Sequence, residues 1–192
     1  MAITDSTIVQ VVNLVDHPVS YVLPELQVTR RFDPHEAKNL PISELRALNY
    51  KRGGRVLLHD YLSVKNNDFR KEIGITEDII EYDYSVQDID KLLLEGDIDV
   101  LKDALEFGPR GIVELIKSRA VKLKIPDLVK RQAIKDIAGT DVHKQIELIE
   151  EQEAALARDN QNGDNAEDAP TEKKETAGTR KRRVATTKEA AE

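Results

Sequence analysis

Four histidines, His17, His35, His59 and His143, are the only side chains here whose ordinary pKa lies near neutrality, so they are the first places to look for acid–base or metal chemistry. No H-x-x-x-H or H-E-x-x-H spacing joins them, so no two imidazoles share one helical face, and no metal ligand set and no cofactor are expected. His35 stands beside Asp33 and Glu36, the one neighbourhood with both acid and base, although two carboxylates near a loop histidine arise readily by chance. The chain contains no cysteine, which removes thiol nucleophiles, thiolate metal sites and disulfides together. Gly53-Gly54 precedes an apolar run, as a phosphate loop would, but neither G-x-G-x-x-G nor G-x-x-x-x-G-K-[ST] is present, and a helix-to-helix turn accounts for it. Asp88, Asp90, Asp97, Asp99 and Asp103 suggest calcium, yet glycine and the closing glutamate are misplaced for an EF-hand and Leu92–Leu94 interrupt the run as core residues would. No constellation supplies nucleophile, base and oxyanion donor in recognisable spacing, so no catalytic residue is assigned and no enzyme is expected.

Cations offer the second chemistry. Lys130, Arg131 and Lys135 fall within Asp127–Ala138, with Arg119, Lys122 and Lys124 just upstream, the most basic part of the periodic region. A helix-turn-helix reader would carry such charges toward DNA, RNA or an acidic protein surface. The competing account is the solvated side of an amphipathic helix, where Lys and Arg usually sit. Arg180-Lys181-Arg182-Arg183 is the sharpest charge block, suited to salt-sensitive, sequence-blind phosphate contact or to keeping a tail solvated. The net charge of −7 weighs against a body that binds nucleic acid by charge alone.

The elements that would position these groups follow from periodicity and breakers. Thr7–Val15, Val19–Leu23 and Gln27–Phe32 read as strands around an Asp16-His17-Pro18 turn, with Glu36–Leu40 as a further strand. Pro41 opens a helix carrying Leu45, Ala47 and Leu48, and Arg52-Gly53-Gly54 breaks it. Val56–Leu62 suggests a short helix ending near Ser63, and Asn66-Asn67-Asp68 a turn capping Phe69–Ile73. Gly74–Tyr84 is a connector carrying Tyr82 and Tyr84. Ser85 and Asp88 have capping-box spacing ahead of Val86–Leu94, which Gly96 ends. Ile98, Leu101 and Leu105 form the next stripe, stopped by Gly108-Pro109. Ile112, Leu115, Ile116 and Leu123 precede Pro126, and Val129, Ile134 and Ile137 precede Gly139. Asp141 caps a last helix with Val142, Ile146, Ile149 and Leu156 near heptad spacing, interrupted by Glu153.

The expected fold is therefore α+β: a small N-terminal antiparallel sheet with short helices over 1–75, a bundle of short helices over 76–157, and a disordered charged tail over 158–192. With 192 residues, 40% hydrophobic and only 4% aromatic, the core should be built from Leu, Ile and Val. Nowhere do roughly 18 apolar residues run together, and Met1–Gln10 holds Asp5 and no basic residue, so a soluble intracellular chain without a membrane span or secretory leader is expected.

Val22-Leu23-Pro24-Glu25, Val28 with Arg30-Arg31-Phe32, Glu44–Leu48 with Tyr50, Gly53-Gly54 and Tyr61-Leu62 resemble a small protein of tailed bacteriophages infecting Gram-positive bacteria. Leu92–Gly96, Gly111–Ile116 and Ala120–Leu123 are similar to the same group, so the likeness covers most of Val19–Leu148. These are mainly packing and turn positions. The resemblance implies a viral protein of the virion or host cytoplasm, non-enzymatic, structural or acting in assembly through contacts with other phage proteins or further copies of itself. The alternative is a nucleic-acid-binding regulator using Lys130, Arg131, Lys135 and Arg180–Arg183.

Overall fold

In the computed structural model, which describes residues 4–75 and 79–163, alternation along Ile8–Asn13 (β1) turns Val9, Val11 and Asn13 inward and leaves Ile8 and Gln10 exposed. β1 is the central strand of an antiparallel sheet. Ala37–Pro41 (β4) pairs on one side, with Val9 opposite Leu40, and Leu62–Val64 (β5) on the other, with Val11 opposite Val64. Val19–Leu23 (β2) and Val28–Phe32 (β3) form a separate antiparallel ladder, Val19 opposite Phe32, so the single sheet expected from the sequence is two. Asn13 is where they part. Wholly buried, it donates through Nδ2 to His17 O and Asp33 O, both at 2.9 Å, and accepts from Val15 N–H, drawing the chain out of the first sheet.

Ile42–Tyr50 (α1) follows β4. The short helix expected to end near Ser63 divides: Gly54–Val56 (α2) runs into a wider π turn over Leu57–Tyr61, and the chain then becomes β5. Leu62, Ser63 and Val64 are all buried, because elements cover both sides of that strand, which erases the alternation that marks a strand in sequence. Asn66 caps Asn67–Glu72 (α3) by accepting from Phe69 N–H, and Ile80–Asp83 forms a 3-10 turn.

Five helices complete the fold: Val86–Leu94 (α4), Ile98–Phe107 (α5), Arg110–Lys122 (α6), Leu128–Ala138 (α7) and Val142–Gly163 (α8). The capping box read from Ser85 and Asp88 is formed, Asp97 caps α5 and Asp127 caps α7, where Gly139 at φ +68° ends the helix in the left-handed conformation. α8 continues past Arg158, where the tail was expected to start, carrying the helix that Ala154, Ala155, Leu156 and Ala157 favour on to Gly163. The remainder of the expected disordered tail lies outside the described residues.

Residues 1–151 form one compact unit, and a second begins within α8 at Gln152. Apolar side chains in the first gather in two clusters. One lies about the sheets, with Val11, Phe32, Leu45, Phe69 and Tyr82; the other joins α4 to α8 through Ile89, Leu101, Ile112, Ile134 and Ile146. Leu14 belongs to the helical cluster and its neighbour Val15 to the sheet cluster, so the segment leaving β1 is shared by both. α+β architecture with an N-terminal antiparallel sheet and a largely helical remainder is what the chain forms.

Candidate functional site

The cations singled out in the sequence do not make one free patch. Lys130 is 4% exposed, and its ammonium donates to Leu92 O and Leu93 O at 3.0 and 2.9 Å, carbonyls in the last turn of α4, where helical partners run out. It corrects the expectation twice over: Lys130 is a buried helix-to-helix tie with no face for phosphate, and the neighbouring Val129, expected in the core stripe, is 64% exposed. Arg131 is half-buried, donating from Nε to Ile125 O at 2.7 Å and from Nη1 to His143 Nδ1 at 2.9 Å. Lys135 pairs with Asp141 at 2.7 Å, which raises the lysine's pKa and lowers the aspartate's. Upstream, Arg119 makes a forked pair with Asp90, and Lys122 a single contact with Asp16. Arg180, Lys181, Arg182 and Arg183 lie outside the described residues.

Asp16, which the sequence presents only as a turn residue, is the hub of the strongest polar cluster. Its Oδ1 lies 2.6 Å from His35 Nε2, and its Oδ2 accepts from Ser118 Oγ at 2.5 Å and Lys122 Nζ at 2.6 Å. His35 reaches it from the β3–β4 turn in a left-handed conformation, φ +59°, while Ser118 and Lys122 occupy successive turns of α6. Burial acts to raise the Asp16 pKa, but the hydrogen bonds from Lys122, Ser118 and His35 outweigh it and hold the carboxyl far below the usual range. An ionised carboxylate only accepts, so His35 carries a proton on Nε2. Serine, histidine and aspartate thus meet, but in the wrong order for nucleophilic catalysis: the hydroxyl is spent on the carboxylate and has no imidazole to deprotonate it. The other histidines do not join: His59 Nε2 contacts Ile73 O at 3.0 Å, His143 contacts Arg131 and Glu147, and His17 is exposed.

Two further clusters stitch the sheet region together. Glu44, 3% exposed, accepts both nitrogens of the Arg30 fork at 2.9 Å and the Tyr21 hydroxyl at 2.6 Å, tying α1 to the β2–β3 ladder. Arg70 donates to Val64 O and to both oxygens of Asp83, while its guanidinium lies 4.6 Å from the Tyr82 ring centre.

Two clefts meet at Tyr84. One, about 280 Å³, runs between β1, His35 and the start of α4 over Leu14, Gln87 and Leu115. The other, about 340 Å³, follows α4 past Asp88, Lys91, Leu92 and Glu95 to Gly96. Burial first, then the fields of Glu81, Asp103 and Asp88, raise the Tyr84 pKa. Sequence reasoning left this connector without a role, although a glutamate inside Ile79-Ile80-Glu81-Tyr82 is an acid in apolar company. Among the described residues no three His, Cys, Asp or Glu side chains gather as a metal ligand set. No family model, no curated protein and no solved structure matches the chain.

Proposed function

We propose that the protein works by docking to other proteins, without catalysis, as a structural or assembly component of a tailed bacteriophage, in the virion or the host cytoplasm. The observation that carries the docking reading is a contrast in how side chains are used. The groups best suited to chemistry are spent on one another, as at Asp16, while large apolar side chains stay in solvent. Leu94, Leu128 and Val129 border the junction that Lys130 ties, at 52, 65 and 64% exposure. Val22, Leu26 and Tyr50 are exposed as well, and Lys51, next to Tyr50, bonds Val22 O. Apolar groups of this size, rimmed by charge, are what a partner surface buries. The phage assignment rests on the sequence resemblance.

Mass spectrometry of purified particles tests it directly. The protein should travel with virions in fixed copy number, and its presence only in infected-cell lysate would remove the particle role. The nucleic-acid alternative predicts duplex binding that falls steeply with salt and is lost on deleting Arg180–Arg183.

A further inference from the structure

We propose that the cleft between α7 and the start of α8 is a docking site for an acidic segment of a partner protein, with the Arg131 guanidinium as the fork that receives an Asp or Glu carboxylate. The proposal deepens the docking function above and rests on it. Leu128, Arg131, Gln132 and Lys135 recur at helical spacing and so share one face of α7; with Asp141 and His143 they line about 180 Å³. Arg131 stands out by the company it keeps. Arg30, Arg46, Arg70 and Arg119 each place two nitrogens on the oxygens of one carboxylate. Arg131 donates instead to Ile125 O from Nε and to His143 Nδ1 from Nη1, both uncharged atoms. A guanidinium only donates, so that imidazole nitrogen accepts, and the ring keeps its proton on Nε2, 3.3 Å from Glu147 Oε1. Two contacts therefore hold the guanidinium in place, while among the described residues it bonds no carboxylate. A cation already oriented loses less freedom when a carboxylate arrives.

Charge and lining choose among anions. Asp141 offsets Lys135 at 2.7 Å and His143 is neutral, so the lining sums to the single positive charge of Arg131. One carboxylate matches it. A phosphodiester backbone would bring further anions against Asp141, against Asp136, which Gln132 bonds, and against Glu147, which faces His143. Leu128, 65% exposed, supplies an apolar wall, so the segment that fits carries an apolar side chain beside its acid. Residues 164–192 hold seven Lys and Arg and seven Asp and Glu, so the whole net charge of −7 belongs to residues 1–163, a field that opposes a polyanion far more than one short acidic segment.

The test is fluorescence anisotropy with a labelled Gly-Leu-Glu-Leu-Asp-Leu-Gly peptide titrated by the full chain, beside the same peptide with Gln and Asn in place of its acids. Saturable binding of the acidic peptide is expected, with the amide version weaker by about tenfold or more. Arg131→Lys, which keeps the charge but presents no fork, should weaken binding about fivefold or more, and Leu128→Ser about threefold. Lys102→Gln, which removes a half-exposed cation from α5, should stay within about twofold of the unaltered chain. Should thermal melts show Arg131→Lys to be less stable, Leu128→Ser and the amide peptide decide the matter, because Leu128 lies outside the core. No saturable binding at low salt, equal binding of the two peptides, equal weakening by Lys102→Gln, or undiminished binding by Arg131→Lys each overturns the proposal. A short DNA duplex is the last arm: if it binds and loses as much to Arg131→Lys as the peptide does, the cleft takes phosphate and the acidic segment is wrong. Virion association without peptide binding would sink this cleft and leave the docking function standing; peptide binding without any particle association would do the reverse to the phage role.

Discussion

Lys130 shows how one side chain can carry the charge of a contact residue and the duty of a core residue. Its ammonium supplies donors to two carbonyls at the end of α4, so Lys130→Ala should cost about 2–3 kcal/mol in denaturant unfolding, the range for hydrogen bonds to a charged group. Lys135→Ala, breaking a pair whose lysine is 51% exposed, should change stability by less than about 0.5 kcal/mol. Reversed magnitudes would mean that Lys130 reaches solvent. Asp83 gives a pH signature. The fork from Arg70, helped by Lys65 against the opposing effect of burial, holds its carboxyl at about 2, below the ordinary 3.8. A depressed pKa means the folded state binds this proton less readily than the unfolded chain. The pair therefore contributes its full stability above about pH 4 and loses it as pH falls through about 2. Urea midpoints taken from pH 6 down to 2 should decline less steeply in Asp83→Asn than in the parent.

At the scale of elements, local signals carry far and then stop. Ser85 and Asp88 announce the start of α4 because capping is settled by residues three apart, and Ser85→Ala should cost about 1 kcal/mol. Asn66 and Gly139 are readable for the same reason. β5 is not, because its three consecutive buried residues, on alternating faces, depend on neighbours on both sides. Nor is the need for glycine at 111, which the chain order presents only as part of an apolar helix. A Cβ there would stand 2.5 Å from Asp60 O and 3.1 Å from Val15 Cγ1, where α6 lies against the π turn. Gly111→Ala must push α6 outward and should destabilise by about 1–3 kcal/mol, visible as a lower melting temperature despite alanine's better helix propensity.

Over the whole molecule, amino-acid order fixed most of the elements along the chain, though not β5, and the α+β class, since periodicity, caps and breakers act over a few residues. It also set the excess of negative charge and the lack of any histidine or cysteine spacing for metal. What it left open is which charges are free. Ser118 and Lys122 meet Asp16 across 102 and 106 residues of chain, and Lys130 meets α4 across 37 and 38; no local pattern encodes pairings that packing alone brings about. The cationic helix that looked available spends Lys130 on the end of α4 and pairs Lys135 with Asp141. Charge is a property of the residue, but availability depends on how the chain packs around it, and only the tertiary structure decides that.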